Sequence, residues 1–255
     1  MLKIIKIGGG IIDNPEELDL FLQTFAAIDG PKVLIHGGGK GASKLLNQLG
    51  IEPKMIDGRR ITDQPTLDVV TGLYAGNLNK TIVAKLQQYG VNAVGLSGAD
   101  GNVIKGSKRP VKTIDYGFVG DISLDGINVD FLQLLIDNGY TPVLCAITHD
   151  GNAQLLNTNA DTIASTVAEA LAVKNDVQLN FCFDKIGVLR DVNDDTTLIP
   201  TIDFALYQEL KQEGVIFEGM IPKLDNAFRV IANGVKEVTL VHANNINSDI
   251  KTVLC

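Results

Sequence analysis

The sequence is poor in the residues and segments that mark several large classes of protein. Its three cysteines, Cys145, Cys182 and Cys255, are odd in number and unclustered among 255 residues. Two of them lie inside apolar runs, which predicts small core side chains and no disulfide or zinc site. The three histidines form no metal-binding pair, and no Gly-x-Ser-x-Gly turn is present. A metallohydrolase and a serine hydrolase are therefore not expected.

Long runs of one kind are also absent from the sequence. The formal net charge is −8, and basic and acidic residues are interleaved without a lysine- or arginine-rich segment. This argues against a nucleic-acid partner and against an anionic membrane surface. No apolar run approaches the roughly 20 residues of a membrane helix, and the first residues lead into a predicted strand instead of a secretory leader. We therefore expect a cytoplasmic protein.

The sequence instead alternates short apolar runs with helical patterns, and the runs are typical of strands covered on both faces of a parallel sheet. The predicted strands are 2–7, 32–36, 91–96, 141–147, 177–183 and 237–242. The predicted helices begin after Asn14 and Lys40 and span about 64–89, 129–138, 160–172, 203–213 and 222–233. Hairpins are predicted at 55–62 and 102–122. The fold class is therefore α/β: a three-layer αβα sandwich with an open, mainly parallel sheet, whose ligands bind at the carboxyl ends of the strands.

Two glycine-rich turns follow predicted strands within the first forty residues, at 8–10 and 37–39. Backbone amides in such turns, together with a helix N-terminus, can bind a phosphate, although glycine also serves tight turns. Lys6 lies two residues before the first turn, so its ammonium could neutralise a phosphate there. The alternative is a strand lysine that extends to solvent. No Walker A motif is present.

The second turn also permits a different interpretation. The segment GGGKGA at 37–42 fits the G-x-G-x-x-A pattern of dinucleotide-binding folds, and Asp57 lies near the spacing of a ribose-binding acid. This would indicate a nicotinamide-dependent oxidoreductase or a flavin enzyme. The Asp57-Gly58 turn, however, puts the acid at a hairpin tip instead of the end of a second parallel strand. The oxidoreductase remains the distant alternative.

Five further polar residues lie where a small anionic ligand could be bound. Lys223 falls in the first turn of a predicted helix, where a cation is unfavourable unless an anion is present. Asn157, Asn159 and Asp161 precede an alanine-rich helix, as helix caps or as ligand contacts. Arg60 offers a planar fork for a carboxylate, and its neighbour Arg59 is expected to point to the opposite face.

Six motifs carry a resemblance to a known family. They are IIKIGGG at the start, VLIHGGG at 33–39, DGRRIT at 57–62, VGLSGADG at 94–101, NTNAD at 157–161 and EGMIPKLDNA at 218–227. In this order and spacing, over nearly the whole chain, they resemble the amino acid kinase family, and within it the N-acetylglutamate kinases. The resemblance implies transfer of the ATP γ-phosphoryl group to the side-chain carboxylate of an N-acyl-L-glutamate, with N-acetyl-L-glutamate preferred, in arginine biosynthesis. It also implies Mg²⁺ held through the nucleotide phosphates, without a metal site on the protein.

The resemblance also implies roles for individual residues at the transferring phosphoryl group. Lys6 and Lys223 match the two lysines that stabilise the transition state, and Asp161 matches the acid that orients both. Gly8 and Gly9 match amide donors to the phosphate.

On the acceptor side, the same resemblance assigns substrate binding to five residues. Gly38 and Gly39 match amide donors. Arg60 and Asn157 match the clamp on the α-carboxylate of the substrate, and Asn159 lies beside them.

The resemblance divides the single domain of residues 1–255 into two lobes. Residues 1–173 would bind the N-acylglutamate and residues 174–255 the nucleotide, with Asp184 in the nucleotide loop. The nucleotide strand of the family commonly ends in Ser/Thr-Asp, whereas this sequence has Phe183-Asp184-Lys185. The chain begins at the first strand, without the N-terminal helix of arginine-inhibited hexamers, so we expect a homodimer.

Three alternatives within the same fold stay open. The acceptor could carry an N-succinyl instead of an N-acetyl group, because no residue identifies the acyl group. Aspartate, carbamate or a nucleoside monophosphate could be the acceptor of a related kinase. A non-catalytic sensor is the third alternative, and the presence of both lysines argues against it.

Overall fold

The computed structural model describes residues 1–56, 58–216 and 220–255. The strands are, in chain order, β1 Leu2–Ile7, β2 Lys32–His36, β3 Met55–Ile56, β4 Arg59–Arg60, β5 Ala93–Leu96, β6 Ile104–Lys108, β7 Val119–Ile127, β8 Thr141–Cys145, β9 Ile147–His149, β10 Leu155–Thr158, β11 Val177–Phe183, β12 Thr201–Ile202, β13 Glu237–His242 and β14 Thr252–Leu254. The helices are α1 Gly9–Ile12, α2 Pro15–Ala26, α3 Gly39–Gln48, α4 Gln64–Thr71, a π-helical segment Gly72–Leu78, α5 Asn79–Gln88, α6 Val129–Asp137, α7 Ala160–Ala172, α8 Phe204–Gln212 and α9 Ile221–Ala232.

The central sheet has eight strands in the order β12-β14-β13-β11-β1-β2-β8-β5. From β13 to β5 all neighbours are parallel, whereas β14 pairs antiparallel with β13. The prediction of an open, mainly parallel sheet is therefore confirmed. In this sheet β1 lies between β2 and β11, so the N-terminal strand is central.

Apolar side chains cover both faces of the sheet, which is why the central strands are continuous apolar runs. Ile4, Val33 and Ile35 belong to one core cluster, and Ile5 and Leu34 to the cluster on the other face; all are fully buried. A fully buried isoleucine or leucine stabilises the fold by about 1.5–3 kcal/mol. These two clusters confirm the predicted three layers.

Two predicted strands have different bounds in the structure. The strand at 91–96 begins only at Ala93, because the Val91 amide donates to the Leu86 carbonyl and completes the end of α5. The run at 141–147 is divided between β8 and β9. At the break, the Ala146 carbonyl accepts a hydrogen bond from the Thr158 amide. The chain passes here from the main sheet to the smaller one that contains β9.

The predicted helix at 64–89 is present but contains a different hydrogen-bonding pattern at its centre. Asp63 caps its start, with Oδ1 accepting from the Thr66 amide at 3.0 Å. The π-helical segment then joins α4 to α5. Such wider turns are rare and frequently lie at functional sites.

Both predicted hairpins form. The β3–β4 pair joins Met55 with Arg60 and Ile56 with Arg59. The second hairpin, β6–β7, combines with β9 and β10 in a four-stranded sheet that closes on itself. This small barrel places β10, with Asn157, beside the carboxyl ends of the main sheet.

Within the described residues, no helix is long and apolar enough to cross a membrane.

Candidate active site

Two adjoining clefts open at the carboxyl ends of β1, β2 and β11, as the parallel sheet predicts. The first cleft is lined by Lys6, Ile7, Gly9, Gly37, Gly38, Met55, Gly58, Arg59, Arg60, Tyr74, Val119, Ala146, Asn157, Thr158, Asn159, Ala160 and Asp161. The second is lined by Lys6, Arg59, Asn159, Asp161, Thr162, Phe181, Cys182, Phe183, Met220, Pro222, Lys223, Asn226 and Leu240. Lys6, Arg59, Asn159 and Asp161 line both, so they mark the junction between the clefts.

An ion pair lies at this junction. Lys6 Nζ is 2.8 Å from Asp161 Oδ1, and only 16% of the Lys6 side chain is exposed. The β1 strand carries Lys6 to the carboxyl edge of the sheet, and Asp161 lies in the first turn of α7. Lys6 and Asp161 are therefore neighbours, as predicted. Their ion pair holds the Lys6 ammonium at the junction of the two clefts.

The first glycine turn differs from its prediction at Gly8. The Gly8 amide donates to the Cys182 carbonyl at 3.1 Å and extends the pairing of β1 with β11. This amide is engaged within the fold, and its donation to a phosphate stays a prediction. Gly9 begins α1 and lines the first cleft.

The second glycine turn packs against the π-helical segment. A Cβ atom at Gly38 would lie 2.5 Å from Leu78 Cδ1 and 2.9 Å from Tyr74 Cε1. A side chain here would force Leu78 and the Tyr74 ring to shift, which favours glycine at this position. Gly37 and Gly38 line the first cleft. Gly39, the other predicted donor, begins α3. Its burial is not among the described features of the structure.

A buried histidine holds this turn in place. Asn79 Nδ2 donates to His36 Nε2 at 3.1 Å and to the Val143 carbonyl at 2.9 Å. His36 Nδ1 therefore carries the hydrogen and donates to the Gly37 carbonyl at 3.0 Å. Burial lowers the pKa of His36 to about 4, so the ring is neutral near pH 7. Sequence reasoning missed this residue, although a polar ring between a buried strand and a glycine turn was a usable signal.

Arg60 and Asn157 are brought together in the first cleft, as the sequence predicts. Arg60 is 6% exposed and its Nη2 donates to Ser43 Oγ at 2.9 Å. Thr62 connects the two residues: its hydroxyl donates to the Arg60 carbonyl at 3.0 Å and accepts from Asn157 Nδ2 at 3.1 Å. This chain of hydrogen bonds ties the β3–β4 hairpin to β10 on the acceptor side.

Asn159 is the N-cap of α7. Its Oδ1 accepts from the amides of Asp161 at 2.8 Å and Thr162 at 3.1 Å. The capping role considered from the sequence is thus confirmed for Asn159. The cap fixes the first turn of α7 and with it the direction of the Asp161 carboxylate.

Lys223 lies on the second cleft, apart from the junction. It is in the first turn of α9, as predicted, and its Nζ is 5.4 Å from the centre of the Phe183 ring. Among the described residues, Asp161 pairs with Lys6 and makes no ion pair with Lys223. The predicted orientation of both lysines by Asp161 is therefore found for Lys6 alone. Gly219 of the EGMIPKLDNA motif lies outside the described residues.

Asp184 is exposed just beyond β11, and the described lining of the second cleft does not include it. The wall at this position is formed by Phe181 and Phe183, which alternate along β11, with Leu240 of the neighbouring strand. Sequence reasoning missed these apolar residues. Two phenylalanines at alternate positions of a strand end were the available signal.

Both arginines of the DGRRIT segment reach the clefts. Arg60 is buried along the first cleft, whereas the half-buried Arg59 lines the first and the second. The expectation that Arg59 points to the opposite face is wrong. A two-residue strand does not impose the alternation that a longer paired strand would impose.

No group of three or more His, Cys, Asp or Glu side chains suited to a metal ion occurs within the part of the chain that the structure describes. The site thus consists of cations, amides and one paired carboxylate around two joined clefts. Such a set suits the binding and transfer of an anionic group.

Comparison with known proteins assigns the chain to a family. The model of the amino acid kinase family matches residues 1–242. The chain belongs to the amino acid kinase family. Membership of the amino acid kinase family disfavours the dinucleotide interpretation of the turn at 37–42. Asp57, the acid which that interpretation required, lies outside the described residues.

Two similar members of the amino acid kinase family carry the name acetylglutamate kinase. The protein of Phocaeicola vulgatus is 53% identical over 253 residues, which are 99% of this chain and 98% of that protein. The protein of Bacteroides fragilis is 54% identical over 248 residues, which are 97% of this chain and 94% of that protein. A solved structure from Streptococcus mutans UA159 has a TM-score of 0.78 at 28% identity and covers 99% of this chain and 98% of that chain.

Proposed function

We propose that the protein transfers the γ-phosphoryl group of ATP to the side-chain carboxylate of N-acetyl-L-glutamate, in arginine biosynthesis. The observation that carries this proposal is the Lys6–Asp161 pair at the junction of two clefts. A cation between two ligand sites is what a phosphoryl transfer between two bound molecules requires. The similarity to acetylglutamate kinases supports the same acceptor.

On the acceptor side, Arg60 and Asn157 would hold the α-carboxylate of the substrate. The guanidinium is nearly buried, so its attraction for a carboxylate is screened less than it would be at the surface. The Thr62 hydrogen bonds fix both residues relative to each other. The acceptor would then extend its side-chain carboxylate toward Lys6.

The chemical step needs no protein nucleophile, because an ionised carboxylate is already nucleophilic. The protein would contribute position and charge neutralisation. Lys6, held by Asp161, would meet the equatorial oxygens of the phosphoryl group as it moves from the second cleft to the first. Asp161 would act by keeping this ammonium in place.

On the nucleotide side, Lys223 would bind the phosphates of ATP. In the structure its ammonium rests over the ring of Phe183, a contact worth about 0.5–1 kcal/mol at an exposed site. A phosphate oxygen is a stronger partner, so nucleotide binding would draw Lys223 from the ring toward the junction. Phe181, Phe183 and Leu240 supply an apolar wall for the rest of the nucleotide.

Mg²⁺ would be held by the phosphates of ATP and by water. The side chains at the junction fit this arrangement, because Asp161 is paired with Lys6 and the remaining charged groups there are cations. When bound, the ion neutralises charge on the phosphates. Lys6 and Lys223 would act on the same charge from the protein side.

We further propose a division into an acceptor lobe of residues 1–173 and a nucleotide lobe of residues 174–255. Asp184 keeps its proposed place near the nucleotide, beyond the wall of the second cleft. We also propose a cytoplasmic homodimer. Size-exclusion chromatography with light scattering should give twice the 27.3 kDa chain mass, and a hexamer would contradict it.

The experiment that tests the activity is a hydroxylamine trap for the acyl phosphate, with Mg-ATP and one acceptor at a time. We expect hydroxamate from N-acetyl-L-glutamate, and none in the absence of ATP. N-succinyl-L-glutamate and L-aspartate serve as competing acceptors. A higher specificity constant with either competitor would overturn the proposed acceptor, and no hydroxamate from any acceptor would contradict the kinase assignment.

A further inference from the structure

We propose that Arg59 is a further catalytic residue, which contacts the transferring phosphoryl group at the junction of the two clefts. The proposal rests on the kinase function proposed above. It gives a role to a residue that the acceptor clamp and the two lysines leave unassigned.

The position of Arg59 is the first argument. Among the described cations of the site, Lys6 and Arg59 line both clefts, whereas Arg60 lines the first and Lys223 the second. A group that passes from one cleft to the other must cross the residues common to both. Arg59 therefore lies, together with Lys6, where the phosphoryl group would pass between the clefts.

The surroundings of Arg59 are the second argument. Asp121 is the acidic side chain that attracts it, but Arg109 already donates to both oxygens of Asp121, with Nε at 3.1 Å from Oδ1 and 3.2 Å from Oδ2. Arg109 also repels Arg59. Within the described residues, the guanidinium of Arg59 forms no hydrogen bond or ion pair, although this residue is half buried. A partly desolvated guanidinium without a partner is costly, and a bound anion removes that cost.

The shape of a guanidinium favours a phosphoryl group as the anion. Its planar fork matches two oxygens at once, and the transition state of phosphoryl transfer spreads charge over three equatorial oxygens. The α-carboxylate of the acceptor is already assigned to Arg60 and Asn157. The contact of Arg59 should consequently strengthen as the phosphoryl group leaves ATP, which lowers the barrier without tighter substrate binding.

A carboxylate at the end of the acyl group is the rival partner for Arg59. N-Acetyl-L-glutamate has no such group, whereas N-succinyl-L-glutamate has one. If Arg59 binds the acyl group, its removal should affect the succinyl substrate alone and should act on KM. If it binds the phosphoryl group, both acceptors should lose turnover equally.

The test compares Arg59→Met, Arg59→Lys and Lys54→Met with the wild-type enzyme. Lys54 is exposed on the same hairpin and lines neither cleft, so it is the matched control for loss of a cation. We expect Arg59→Met to lower kcat about 100-fold for both N-acyl acceptors, with KM for ATP nearly unchanged. Arg59→Lys should recover part of the loss, and Lys54→Met should match the wild type.

A binding measurement provides a readout independent of turnover. Calorimetry would give the affinity for ADP with N-acetyl-L-glutamate, before and after aluminium fluoride is added to imitate the transferring group. We expect Arg59→Met to keep the ADP affinity and to lose most of the gain that aluminium fluoride produces. Thermal unfolding checks that both Arg59 variants are folded, and Arg59→Lys serves as the test if the methionine variant is not.

The outcomes separate the two proposals. Wild-type-like kcat in Arg59→Met, or a loss restricted to KM for N-succinyl-L-glutamate, overturns the role of Arg59 and leaves the kinase function in place. A wild-type enzyme that phosphorylates no acceptor overturns both.

Discussion

At the scale of the single residue, Lys6 and Arg60 make different contributions to the proposed reaction. Lys6 would meet charge that develops during transfer, whereas Arg60 would hold a carboxylate that does not change. Lys6→Met should therefore lower kcat about 100- to 1000-fold with little change in KM. Arg60→Ala should chiefly raise KM for the acceptor. Steady-state kinetics at saturating ATP separates the two effects.

Each of the two variants, Lys6→Met and Arg60→Ala, has its own result that would contradict the proposed role. Near-wild-type kcat in Lys6→Met would remove the ammonium from the transfer step. An unchanged acceptor KM in Arg60→Ala would move the carboxylate clamp elsewhere. Lys174→Met, which removes an exposed lysine paired with Asp130 far from both clefts, is the control for a general loss of charge.

His36 should make the protein less stable in mild acid. Its pKa is about 4 in the folded protein because of burial, and about 6.5 in an unfolded chain. Between these values the unfolded chain binds a proton that the folded protein does not. The free energy of unfolding should thus be highest above pH 6.5 and fall toward pH 4, by about 3 kcal/mol from this residue.

Urea unfolding across pH 4–7 measures this loss. His36→Asn has no group that titrates in the window, so the difference in slope between variant and wild type isolates the histidine. Equal slopes would show that His36 takes up its proton in the folded state.

At the scale of the element, the π-helical segment and the second glycine turn form one unit. Gly38→Ala would bring its new methyl group against Tyr74 and Leu78. We expect a loss of about 1–3 kcal/mol in stability and a higher acceptor KM, because Gly38 lines the first cleft. Gly76→Ala is the matched control, since its Cβ would meet nothing within 4 Å. A fully active, stable Gly38→Ala protein would contradict this packing.

A contact between α7 and α9 joins the helix that carries Asp161 to the helix that carries Lys223. Glu169 of α7 is 4% exposed and lies 2.6 Å from Arg229 Nη1 and 2.8 Å from Asn233 Nδ2 of α9 and its cap. Glu169→Gln should cost about 2 kcal/mol, discounted because Arg229 is half exposed. Chemical denaturation of Glu169→Gln, Arg229→Met and the double variant measures the coupling. Additive losses would show that the pair contributes nothing.

The elements also show how much the sequence could predict. The strands that carry Lys6 and Phe183 were recognisable as apolar runs, and a parallel sheet necessarily brings their carboxyl ends together. The place of Asp161 in the first turn of α7 follows from the Asn159 cap that precedes it. The Gly8 amide could not be predicted, because its partner in β11 depends on a register between segments about 170 residues apart. The contact of Lys223 with Phe183 likewise joins two separate elements, α9 and β11. The side to which Arg59 turns could not be predicted because its strand has only two residues.

At the scale of the whole molecule, the charge distribution agrees with the proposed ligands. The chain carries a net charge of −8, yet Lys6, Arg59, Arg60 and Lys223 gather around two joined clefts. Binding of ATP should therefore weaken as salt screens this local field. Burial of Arg60 protects the acceptor clamp from the same screening.

The central position of β1 has a consequence for synthesis on the ribosome. Its two neighbours are β2, which follows within the first forty residues, and β11, which begins at Val177. Until β11 has left the exit tunnel, one edge of this central strand has no hydrogen-bonding partner. At about 5–20 residues per second this exposure lasts on the order of ten seconds. During this time the emerging chain exposes an unpaired, apolar strand edge. Chaperones cover such edges, and strands of neighbouring nascent chains can pair with them.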